Sequence, residues 1–223
     1  MTEASSGSSS RRSKGLSQAG QAKPLPNWDP LLRLTHWGIA AVVLGNYALT
    51  KEGGSVHIAL GWAGLGLLVL RLIWGFVGPR EARFTSFLPN PMAALRHLVG
   101  LSKGQAPHFP SHNPAGAMMA YALWACLAVL IGTGLLMTGA TPMKQAELEA
   151  AVAAGDWSVL VEEGEEAEDD ESPFGEAIKE VHEVAANLIL LLAFLHVAGV
   201  VVESRVMGRN LVRPMLIAAR RRR

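Results

Sequence analysis

The stretch Ala177-Ile-Lys-Glu-Val-His182-Glu-Val-Ala-Ala-Asn-Leu-Ile-Leu-Leu-Leu-Ala-Phe-Leu-His196-Val-Ala-Gly-Val-Val-Val202 decides the fold. After Glu183 it is an almost unbroken apolar run. About 20 such residues, rising 1.5 Å each in a helix, cross the hydrocarbon core of a bilayer. Two histidines interrupt it. His182 and His196 are 14 residues apart, about 21 Å along a helix axis. Fourteen steps of about 100° fall about 40° short of four full turns, so both imidazoles lie near one face. An ionisable side chain inside a span is costly and marks function by default.

Three further stretches read as spans: roughly Leu31 to Leu49, Val56 to Val77 and Pro114 to Thr138. The composition agrees. Half of the 223 residues are hydrophobic and 17% are charged, against roughly a quarter charged in a soluble domain; the mean hydropathy is +0.24. The fold class expected is an all-α membrane protein, a bundle of four transmembrane helices. Basic residues cluster in the N-terminal segment (Arg11, Arg12, Lys14, Lys23, Arg33), in the loop after span two (Arg80, Arg83, Arg96, Lys103) and after span four (Arg205, Arg209, Arg213, Arg220 to Arg223). Sixteen of the 20 lie on one side of the expected bundle. The positive-inside rule then puts both termini in the cytoplasm.

The domain plan has three parts: a disordered basic tail over residues 1–27, a transmembrane domain over 28–215 and a basic tail over 216–223. Arg11-Arg12 is followed by no apolar stretch, so the tail does not read as a cleaved signal. Within the domain, residues 139–175 form an acidic insert on the non-cytoplasmic side. Twelve of the 19 carboxylates fall between Glu147 and Glu176. They read either as a solvated insert or as a docking surface for a basic partner. A lone cysteine, Cys126, excludes a disulfide scaffold, a Cys-x-x-Cys-His haem attachment and an iron–sulfur cluster. Nothing in the chain suggests nucleic-acid binding.

Depth pairs the histidines. Span one enters from the cytoplasm, which leaves His36 near that side. Spans two and four enter from the far side, so His57 and His182 are shallow there, and His196 is deep toward the cytoplasm. The expected pairs are His57 with His182 and His36 with His196. Zinc wants four ligands at one depth, or three and water, and each level offers two. Haem fits, because the porphyrin supplies four nitrogens and asks for two axial ligands. Gly61, Gly64 and Gly199, with Ala185 and Ala186, lie beside the ligands and leave room for a macrocycle, or equally serve close helix packing. Arg71 lies 14 residues after His57, at the level of His36 and His196. There it either meets a haem propionate or snorkels to the headgroups. Glu180, Glu183 and Thr35 are candidates to hydrogen-bond the ligand imidazoles. His97, His108 and His112 fall in the cytoplasmic loop and read as surface residues.

Five motifs carry a resemblance: Leu32-Arg-Leu-Thr-His36-Trp37, His57-x4-Trp62, Arg71-Leu-Ile-Trp-Gly-Phe-Val-Gly-Pro-Arg80-Glu-Ala-Arg83-Phe84, His112-Asn-Pro-Ala-Gly116, and Lys179-Glu-Val-His182-Glu183 with Leu195-His196. Over about residues 28–215 the chain resembles the bacterial cytochrome b561 family, of the kind grouped with nickel-hydrogenase b-type cytochromes. The resemblance implies two non-covalent haem b groups in the bacterial inner membrane. It implies His36, His57, His182 and His196 as iron ligands, and electron exchange between membrane quinone and a redox partner. The Gly78-to-Phe84 stretch resembles the branch that works beside soluble c-type cytochromes in the periplasm.

The expected role is therefore electron transfer by a membrane protein or an oxidoreductase subunit rather than a stand-alone enzyme, with no catalytic residue as such. The alternatives are a haem-containing anchor subunit of a hydrogenase-like or other respiratory complex, a non-redox membrane anchor, and a small transporter with histidine proton relays. Oligomeric state is open.

Overall fold

The computed structural model describes residues 28–50, 53–105, 107, 109, 112–138, 142–159 and 172–216. Both tails beyond these limits, His108, and the insert carboxylates Glu162, Glu163, Glu165 and Glu166 lie outside the described residues. All regular elements described are helical: α1 (Pro30–Leu49), α2 (Ser55–Val77), α3 (Pro91–Ser102), α4 (Pro114–Thr138), α5 (Pro142–Ala153), α6 (Pro173–Val206) and α7 (Arg213–Leu216). Two 3₁₀ turns, Arg80–Ala82 and Phe84–Ser86, link α2 to α3.

One local device starts four of these helices. A short polar side chain precedes a proline, which suits the first helical position because its missing N–H has no intrahelical use there. Asp29 accepts from Leu31 N at 2.8 Å ahead of Pro30. Asn90 accepts from Ala93 N at 2.9 Å ahead of Pro91. Asn113 accepts from Gly116 N at 2.6 Å ahead of Pro114. Ser172 accepts from Gly175 N at 3.1 Å ahead of Pro173.

Three helices are long and apolar enough to cross a membrane: α2, α4 and α6. The expected first span is a helix too, and its 20 residues reach about 30 Å. It falls short on apolarity, because Arg33, His36 and Asn46 dilute it. α1 packs along α2, α2 against α4, and α4 against α6. α3 packs on α4, and α5 on α2. Leu68, Cys126, Leu127, Ala185 and Ile189 form the buried centre. Large apolar side chains such as Val69, Ile73, Leu191 and Phe194 point outward, as a bundle surrounded by lipid requires and a bundle in water avoids.

The turn after α2 depends on one close approach. A Cβ on Gly75 would lie 2.2 Å from the Phe84 ring, so only glycine lets Phe84 fold back onto α2. Phe84 then gathers Phe87, Tyr121 and Trp124 at centroid distances of 5.5–6.3 Å. That aromatic cluster closes one end of the bundle over Arg71.

Candidate functional site

The four span histidines meet in two pairs. The His57 and His182 rings, from α2 and α6, lie 6.3 Å apart between centroids. The His36 and His196 rings, from α1 and α6, lie 6.1 Å apart. In each pair the ring planes are inclined at 58°. The separation has a chemical meaning. Two imidazole nitrogens bound to one metal at about 2.0 Å each, with centroids about 1.1 Å behind them, put ring centroids about 6.2 Å apart. Both centroid separations lie close to that figure.

Hydroxyls stand behind the first pair. Thr133 Oγ1, on α4, lies 2.8 Å from His182 Nδ1. Thr50 Oγ1, just past α1, lies 3.4 Å from His57 Nδ1, and Asn46 Nδ2 donates to His57 O at 3.3 Å. Neither threonine is among the partners expected from the sequence. Thr133 was legible only as a lone hydroxyl in an otherwise apolar span, and Thr50 through its place seven residues before His57. The three expected partners do not take this role. Thr35 donates to Leu31 O and Leu32 O of its own helix, the usual bond of a mid-helix threonine. Glu180 and Glu183 are exposed.

The small residues divide. A Cβ on Gly61 or Gly199 would meet nothing within 4 Å, which leaves the open space a macrocycle needs. Gly64 is instead a packing site, where a Cβ would come 3.3 Å from Val42 Cγ1. Ala185 is core as well, its carbonyl accepting from the Cys126 thiol at 3.3 Å. Gly134 abuts His182, where a Cβ would come 3.4 Å from the imidazole Cε1.

Arg71 does not snorkel. It is 4% exposed, with its guanidinium 4.6 Å from the Trp124 ring and 5.2 Å from that of Phe84. Nη2 donates to Ala82 O at 3.3 Å, and buried Nη1 has no partner among the described residues. A buried cation with an unused donor asks for an anion.

Two loop histidines depart from expectation. His97 is buried on α3, 3.7 Å from Glu203 of α6. α3 is amphipathic, and its buried turn takes Ala94 and His97 together. His112 is partly buried, its ring 4.4 Å from Phe87 and 5.1 Å from Trp28. Burial, and then the charges of Arg71, His196 and His36, hold its imidazole down at about 4.

An all-helical membrane protein with two facing histidine pairs has the make-up of a membrane cytochrome. Residues 27–217 match the family described as prokaryotic cytochrome b561, and the chain belongs to that family. No curated protein and no solved structure matches it. The family carries b-type haem and transfers electrons in the membrane. The residues present fit that group: paired imidazoles at iron-bridging separation, open space beside Gly61 and Gly199, and an unused guanidinium donor.

Proposed function

We propose that the chain is a two-haem electron conduit across the bacterial inner membrane. His57 and His182 hold one haem b toward the periplasm. His36 and His196 hold a second toward the cytoplasm, where Arg71 takes a propionate. The observation that carries this reading is the double histidine contact at 6.1 and 6.3 Å.

Bound haem supplies reversible one-electron chemistry at iron. The chain's part is to hold and insulate. Two histidines holding each haem would leave no coordination position for oxygen or substrate, which suits electron transfer. The two levels are joined by α6, whose His182 and His196 share a face, so a single rigid helix sets both positions. The aromatic cluster of Phe84, Phe87, Tyr121 and Trp124 keeps water from one end of the bundle. α1 serves as the fourth span, supported by its length and its packing along α2. The basic residues place both termini in the cytoplasm. The electron partners are the membrane quinone pool on one hand and a periplasmic redox protein, such as a c-type cytochrome, on the other.

A reduced-minus-oxidised spectrum of purified membranes, with haem quantified per chain, tests the reading. The expected result is haem b bands at two haems per chain, all released by acid–acetone. An absent spectrum, one haem per chain, or haem retained on the polypeptide overturns it.

A further inference from the structure

The two histidine pairs are not equivalent, and the difference lies in what stands behind the rings. At the His57–His182 level both Nδ1 atoms face a threonine hydroxyl, Thr133 at 2.8 Å and Thr50 at 3.4 Å. At the other level, Thr35 turns to its own helix. Among the described residues no hydrogen bond to the His36 or His196 ring accompanies it.

Counting protons gives these contacts a direction. A hydroxyl has one proton and two lone pairs, and a neutral imidazole has one N–H and one lone pair. Thr133 Oγ1 lies 2.8 Å from Val129 O and 3.1 Å from Leu130 O. Carbonyls can only accept, so the hydroxyl proton goes to them. Thr50 Oγ1 lies 2.6 Å from Asn46 O and 3.1 Å from Asn46 Oδ1, and its proton is used in the same way. Each oxygen is left a lone pair for the histidine. A ring whose Nδ1 is taken up by a threonine coordinates iron through Nε2, which puts the ring proton on Nδ1. Along that chain donor and acceptor would alternate: Nε2 toward iron, Nδ1–H toward the threonine oxygen, and the threonine hydroxyl toward the carbonyl oxygens.

We propose that Thr133, with Thr50 in support, accepts the Nδ1–H of the axial histidines and thereby lowers the reduction potential of the haem held by His57 and His182. This rests on the two-haem reading above. A hydrogen bond accepted from the outer nitrogen of a ligand histidine fixes the ring and increases the electron density it offers the metal. A more electron-rich ligand favours ferric over ferrous iron. Thr133 carries the larger share, because its contact is short while that of Thr50 is at the long limit for a hydrogen bond. Both act as positioning residues through the histidines. Neither needs to touch the haem.

Redox titration of the full-length protein with both haems bound tests this. Thr133→Val keeps the shape and removes the acceptor. The expected result is a rise in the midpoint of one spectral component, the one lost in His182→Ala. The ratio of reduced to oxidised haem at fixed poise should rise by about tenfold, about 59 mV for one electron. The other component should not move, and Thr133→Ser should titrate like the parent. A Thr133→Val protein with two bound haems and an unshifted or lowered midpoint overturns the proposal. Should that variant lose the haem, the parent decides. Pulsed electron–nuclear spectroscopy on ¹⁵N-histidine-labelled ferric protein in H₂O and D₂O reads the exchangeable Nδ1 protons directly. A tighter hydrogen-bonded proton in one haem than in the other supports the proposal, and two indistinguishable haems overturn it. Failure of the underlying reading looks different: the parent shows no haem, or one.

Discussion

Asn113 fastens the start of α4 to the end of α6. Its Nδ2 donates to Glu203 Oε2, while its Oδ1 accepts from Gly116 N at 2.6 Å. Glu203 also has His97 of α3 3.7 Å from its other oxygen, and it is buried. One asparagine therefore caps a helix and partners a buried carboxylate, tying α4 to an α6–α3 contact. Glu203 lies seven residues after His196, two turns along the same face, so this joint anchors the segment that positions that ligand.

Asn113→Ala should be costly for that reason. Losing the cap removes about 1 kcal/mol, and leaving a buried carboxylate without its donor adds about 1–3 kcal/mol. Asn113→Ser, a good cap too short to reach Glu203, should recover only the first share. Unfolding midpoints in detergent by circular dichroism read both. Equal midpoints for Ala and Ser would locate the whole effect in the Glu203 contact.

The histidine pairs should separate by mutation. His57→Ala and His182→Ala should remove one spectral component, and His36→Ala and His196→Ala the other, each with roughly half the haem lost. Redox difference spectra of the four variants decide. A common component lost in both His36→Ala and His182→Ala would show that the pairs are wrongly drawn.

Arg71 should tune one haem only. Replacing the buried guanidinium by the neutral side chain of Arg71→Gln removes a positive charge that favours the reduced form. The midpoint of the His36–His196 component should fall, with the reduced fraction at fixed poise dropping about tenfold, about 1.4 kcal/mol. The effect runs opposite to that expected of Thr133→Val and falls on the other component. Two unmoved midpoints would mean that the guanidinium does not face the cofactor.

The acidic insert should steer a partner. With Glu162, Glu163, Glu165 and Glu166 changed to Gln, the rate of electron exchange with a basic c-type cytochrome should fall several-fold at low salt. Its salt dependence should flatten, since exposed charges are screened beyond about 8 Å at physiological ionic strength. Stopped-flow rates across an ionic-strength series measure this. An unchanged low-salt rate and slope would leave the carboxylates as solubilising groups.

Length and hydropathy alone determined the helical membrane class, because a span must satisfy its backbone internally and cover about 30 Å with apolar side chains. Helical periodicity likewise put His182 and His196 on one face and Arg71 14 residues below His57, since these are properties of one helix. Residues acting across helices stayed hidden. Thr133 meets His182 from 49 positions away and Asn113 meets Glu203 from 90, and no local period encodes such distances. His97 and His112 misled for the same reason: a loop looks like surface until folding brings Glu203 to His97, and Phe87 and Trp28 to His112. The tertiary structure decided which hydroxyls stand behind the imidazoles, because hydrogen bonds between helices depend on how the helices are rotated against one another. That rotation is set by packing at contacts such as Gly64 with Val42 and Cys126 with Ala185.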